Sequence, residues 1–176
     1  MQFKHIHCAK TGGASIETTI KNLPNILWNG HSKIEKEDSQ YYTFTSVRNP
    51  YDRVFSMYNF YKYKRNVVTE DNFEQFVRNI SSYFNVLHGG KTMTFRPCFD
   101  YLSIDGELRV NRVLKFESLN KDWFEFATEF NFPRNLAHIN VNSQKPKFDM
   151  SVYTPESKEI VGELFKNDFI HFGYSF

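Results

Sequence analysis

Phe3-Lys4-His5-Ile6-His7-Cys8-Ala9-Lys10-Thr11-Gly12-Gly13-Ala14-Ser15-Ile16 is the stretch on which the fold turns. Phe3 to Ala9 reads as a short buried strand, Thr11-Gly12-Gly13 as a turn, and Ala14 to Leu23 as a helix closed by Asn22 and Pro24. Strand, glycine turn and helix make one half of a βαβ unit. The glycine pair permits the φ values of a tight turn and lets backbone N–H groups close on an anion. The following helix adds its unpaired N–H groups and the positive end of its dipole. Lys10 supplies a full charge at the loop entrance, and Thr11 and Ser15 supply hydroxyls. A nucleotide P-loop of the G-x-x-x-x-G-K-[ST] type carries its lysine after the glycines, whereas Lys10 precedes them. Taken alone, the segment is equally an ordinary Gly-Gly turn with a surface lysine.

Outward from the loop, Tyr41 to Val47 is a second strand, rich in aromatic and β-branched residues. It runs into Arg48-Asn49-Pro50, where Asn49 is a good N-cap and Pro50 a good first helical residue for a helix to about Lys64. Val54, Tyr58 and Tyr61 share the inner stripe of that helix. Arg48 thus ends a strand and Ser56 lies on the next helix, a fork and a hydroxyl that suit a terminal phosphate. Alone, this stretch is equally a capped strand-helix junction, with Asp52 and Arg53 as surface or helix-end charges. Thr69 caps a predicted helix Glu70 to Ile80 with Phe73, Phe76, Val77 and Ile80 inward. Ser81 to Pro97, with Gly89-Gly90, reads as a surface loop or lid. Tyr101 to Ile104 and Glu107 to Val110 flank the hairpin turn Asp105-Gly106. Arg112 to Phe116 is a strand, Ser118 to Phe130 a capped helix, and Pro155 to Phe165 the last long helix. Strands alternating with helices predict an α/β fold with a mainly parallel sheet.

The 176 residues suit a single domain spanning 1–176. Hydrophobic residues at 40% and charged residues at 24% exclude a disordered chain. Nineteen Phe and ten Tyr point to an aromatic core rather than to a ligand. A net charge of +2 gives no argument for nucleic acid, so any anion site is local. Cys8 and Cys98 have no metal-ligand spacing and read as reduced, buried thiols. No apolar run approaches the roughly 18–20 residues that cross a bilayer, and the N-terminus enters a strand without a signal-like segment. The expectation is a soluble, cytoplasmic protein without a metal.

His7 to Ser15 resembles the 5′-phosphosulfate loop of sulfotransferases, written H-x-P-K-T-G-G-T-S. Val47-Arg48-Asn49-Pro50-Tyr51-Asp52-Arg53-Val54-Phe55-Ser56 resembles their 3′-phosphate motif V-R-N-P-x-x-R-x-x-S. Lys115 to Leu119 is similar to their later F-E-x-L segment, and Asp168 to Tyr174 to the D-F-x-x-F-G-Y ending of the carbohydrate-type branch. The resemblance implies a P-loop-NTPase-like three-layer fold that binds 3′-phosphoadenosine 5′-phosphosulfate (PAPS) and releases 3′-phosphoadenosine 5′-phosphate (PAP). It implies that Lys10, Thr11, Gly12, Gly13, Ala14 and Ser15 hold the 5′-phosphosulfate, that Arg48 and Ser56 hold the 3′-phosphate, and that Phe116 lies near the adenine. Ala9 stands where the family has proline, and Ala14 where it has a hydroxyl residue.

The implied reaction moves a sulfuryl group to a hydroxyl acceptor, a glycan or small molecule. Lys10 then stabilises the leaving phosphate, and His31 in Asn29-Gly30-His31-Ser32 is the first choice of base. His88 and Glu17 are the other candidates, while His5, His7, His138 and His171 read as structural. Ser143-Gln144-Lys145-Pro146-Lys147 is a basic loop that suits either the 3′-phosphate or the acceptor, or a solvated turn. A small-molecule kinase and a non-catalytic nucleotide-binding relic are the alternatives.

Overall fold

A computed structural model of the chain describes residues 1–28, 30–85, 95–137, 139 and 147–175. In chain order the elements are β1 (Phe3–Ile6), α1 (Gly13–Ile20), β2 (Ile26–Trp28), β3 (Tyr42–Val47), α2 (Pro50–Tyr63), α3 (Phe73–Asn79), α4 (Cys98–Leu102), β4 (Ser103–Ile104), β5 (Glu107–Leu108), β6 (Arg112–Lys115), α5 (Leu119–Glu129), α6 (Pro155–Leu164) and α7 (Lys166–Phe172). The chain divides into two compact units, one of residues 1–48 and 100–144, the other of residues 49–99 and 145–176. Among the described residues, no helix is long and apolar enough to cross a membrane.

The first unit is α/β. Its four strands form a parallel sheet in the order β2-β1-β3-β6. The register pairs Phe3 with Ile26 and Tyr42, and His5 with Trp28 and Phe44, so these six side chains share one face. On that face Phe3, Ile26, Phe44 and Leu114 pack with Ile16 and Ile20 of α1 and with Trp123 and Phe126 of α5. Ile16 and Ile20 are one helical turn apart, the spacing that lays α1 along the sheet. Phe126 contributes ring contacts to Phe44, Phe130 and Phe132 at 4.8, 5.1 and 5.8 Å. The abundant aromatics therefore build the core, as the composition predicts.

The second unit is helical. Val54, Tyr58 and Tyr61 of α2 are buried with Phe76 and Val77 of α3 and Val161 of α6, so the predicted stripe on α2 is the buried one. Arg53 lies on the same helix, fully buried, with Nη1 donating to the Arg96 carbonyl at 2.9 Å. It is a core residue rather than a surface charge.

Several boundaries depart from the sequence reading. α1 ends at Ile20 rather than Leu23, because Pro24 disfavours helical geometry at Leu23, and the short strand β2 follows unforeseen. α3 begins at Phe73, capped by Asn72, whose side chain accepts from the Gln75 N–H at 3.0 Å. The Glu70 expected in its first turn instead accepts a hydrogen bond from the Tyr83 hydroxyl. The hairpin around Asp105-Gly106 is present, but only two residues long on each side, and Tyr101 belongs to α4. The centre of the predicted 81–97 loop, residues 86–94, lies outside the described residues.

Candidate functional site: a glycine loop braced by an arginine

β1 delivers the chain to the loop, and α1 leaves it. Gly12 has a φ of 89° and takes the N-cap position of α1 with no side-chain cap. Its left-handed backbone and its neighbours both demand glycine, since a Cβ there would lie 2.6 Å from Leu119 Cδ2. A Cβ on Gly13 would lie 2.3 Å from His7 Cδ2 and 2.5 Å from His7 Nε2, so that imidazole edge rests on bare backbone. The first helical turn leaves the N–H groups of Gly13 and Ala14 without intrahelical acceptors. Further in, the Ser15 N–H returns to the Gly12 carbonyl at 3.0 Å.

Lys10 also has a left-handed backbone, with φ 67°. That conformation costs a non-glycine residue about 1–2 kcal/mol. Two interactions hold it. The Arg48 guanidinium donates through Nη1 to the Lys10 carbonyl at 3.2 Å. The Thr11 hydroxyl donates to the Cys8 carbonyl at 2.8 Å and accepts from Ser46 Oγ at 3.0 Å. Thr11 is fully buried, so its hydroxyl pins the loop instead of facing an anion as the sequence reading expected; its backbone remains part of the turn.

Arg48 is oriented by Phe116, over whose ring its guanidinium carbon sits 4.1 Å from the centroid. The same ring edges Gly12, where Phe116 Cδ2 would be 3.1 Å from a Cβ. The aromatic assigned by resemblance to the adenine thus carries the arginine on one face. Glycine loop, Arg48 and Phe116 form one packed group, which brings Lys10 together with Arg48, 38 residues later, within the first unit. Ser56 lies half-buried on α2 in the second unit.

His31 is half-buried, and its ring centre lies 4.3 Å from that of His7 at an interplanar angle of 70°. His88 and His138 lie outside the described residues, as do residues 143–146 of the basic loop. His171 stacks on Phe99 at 4.4 Å, in keeping with a structural role. Glu17 Oε1 lies 3.0 Å from His7 Nδ1 and 3.7 Å from His5 Nδ1. Burial alone would raise the Glu17 pKa, but hydrogen bonding and charge from His5 and His7 outweigh it and hold the carboxyl at about 2. Such a carboxylate is a weak proton acceptor near neutral pH, which disfavours Glu17 as the base. His5 is fully buried with its Nδ1 3.7 Å from Glu17 Oε1, and burial pushes its pKa down against the pull of Glu17.

The His5–His7–Glu17 cluster is what sequence reasoning missed. Its signal was the His-x-His alternation on one face of β1, combined with an acidic residue one turn into α1. Among the described residues, no group of three or more acidic, histidine or cysteine side chains has the arrangement of a metal site.

Comparison of the chain with protein-family models, and with curated proteins, gives no match.

Proposed function

We propose that this protein is a sulfotransferase that moves the sulfuryl group of PAPS to a hydroxyl acceptor, a carbohydrate by the motifs it resembles, on a P-loop-like parallel sheet. The observation that carries the reading is the Arg48–Lys10 contact, because it joins the proposed 3′-phosphate arginine to the proposed 5′-phosphosulfate loop. An uncapped helix N-terminus and a strained cationic residue on one loop further support an anion site. In this reading the N–H groups of Gly13 and Ala14 hold the 5′-phosphosulfate. Lys10 stabilises charge on the oxygen that bridges to sulfur, and His31 takes the acceptor proton. Arg48 binds the 3′-phosphate, with Ser56 added by the sequence motif alone. Positioning and preorganised charge supply most of the rate, as in phosphoryl transfer.

The test is transfer of labelled sulfate from PAPS to a panel of glycan and small-molecule acceptors. Transfer should be lost in Lys10→Ala and fall by about a hundredfold or more in His31→Ala, the usual scale of a general base. Full activity in Lys10→Ala would overturn the assignment of the loop. Mg²⁺-dependent ATP turnover in place of sulfate transfer would favour a kinase.

A further inference from the structure

Behind His31 stands a cluster that the proposed reaction does not use. Glu17 lies 3.0 Å from His7 Nδ1, and the carboxylate can only accept, so the His7 Nδ1 carries the proton. The opposite edge of that ring, Cδ2 and Nε2, packs on Gly13 at the start of α1. The His31 ring meets His7 edge to face. The titratable groups that face His7 are, among the described residues, His5 of β1, Glu17 of α1 and His31 of the segment after β2. Glu17 thus meets two imidazoles, at 3.0 Å from His7 and 3.7 Å from the fully buried His5, and His31 joins the cluster through the His7 ring.

We propose that Glu17 is a positioning residue for the transfer reaction, fixing the His7 ring and its tautomer and, through that ring, supporting His31 as proton acceptor. This rests on the sulfotransferase reading above. In the step served, the acceptor O–H bond breaks and its proton passes to His31. The acceptor oxygen bonds to sulfur, and the bond from sulfur to the bridging oxygen breaks with its electron pair left on the phosphate of PAP. The new imidazolium forms against the His7 ring, and the Glu17 carboxylate on the other side of that ring offsets its charge. A carboxylate behind a histidine holds its orientation and stabilises the protonated form in the same way in hydrolases and metal sites.

The experiment is a titration of the histidine imidazoles by NMR, wild type against Glu17→Gln. The amide keeps an oxygen near His7 and removes the charge. The midpoint of His31 should fall by roughly half to one pH unit in Glu17→Gln, the scale of one lost neighbouring charge. His7→Gln should lower it as well, and Glu17→Asp should restore part of the shift. In turnover, the acidic limb of kcat should move down by the same amount with the KM for PAPS unchanged. An unchanged His31 midpoint in folded Glu17→Gln overturns the proposal. If Glu17→Gln does not fold, an unchanged midpoint in His7→Gln overturns it instead. Absence of sulfate transfer with every acceptor would sink the reaction class, while the imidazole titration still decides the role of Glu17.

Discussion

Lys10 shows how a single residue carries both charge and conformational cost. Its φ of 67° belongs to the region that glycine occupies freely and that a lysine enters at about 1–2 kcal/mol. Glycine at this position relieves the strain but adds freedom to the unfolded chain, which returns roughly half the gain. Lys10→Gly should therefore be more stable than wild type by about 0.5–1 kcal/mol in urea unfolding, and devoid of sulfate transfer. Loss of stability would mean that the lysine side chain, rather than a functional anion, accounts for its place in the loop. The identity of Lys10, Gly12, Gly13 and Arg48 as candidates was legible in the sequence, because glycine and Arg-Asn-Pro patterns are local. The strain at Lys10 and the second duty of Thr11 were not. Both follow from partners 35 and 38 residues away, Ser46 and Arg48.

At the level of elements, the strands and long helices follow local pattern closely where residues of one type recur. β3 lies within the predicted Tyr41–Val47, and α6 starts at Pro155 with Thr154 as its cap. α4 is the instructive exception. Nothing near Cys98 caps a helix, yet the buried Asp168 of α7 accepts from the Cys98 and Phe99 N–H groups at 2.8 and 2.7 Å. A carboxylate supplied from 70 residues away closes the N-terminus of α4, which takes Tyr101 and Leu102 from the expected strand Tyr101 to Ile104 and leaves Ser103–Ile104 as β4. Asp168, at the start of the Asp168–Tyr174 segment, thus serves as a helix cap. Asp168→Ala leaves two buried donors unsatisfied and should cost roughly 3 kcal/mol in denaturant unfolding. A change below about 1 kcal/mol would show that α4 does not depend on this cap.

For the molecule as a whole, the chain builds two apolar cores of different character, one beneath the parallel sheet and one among helices. The Lys10 loop, Arg48, Phe116 and the histidine cluster all belong to the sheet unit. With a net charge of only +2, the bulk charge of the chain supplies little attraction for an anion, so the proposed nucleotide site rests on this local group. The central claim is that the group recognises a 3′-phosphorylated adenine nucleotide. Isothermal titration of PAP, ADP and ATP against wild type and Arg48→Ala tests it most directly. PAP should bind wild type at least tenfold more tightly than ADP or ATP, and Arg48→Ala should weaken PAP by about 1.5–3 kcal/mol, roughly 10- to 150-fold. Equal or tighter binding of ATP, or a PAP affinity unchanged in Arg48→Ala, would contradict the account.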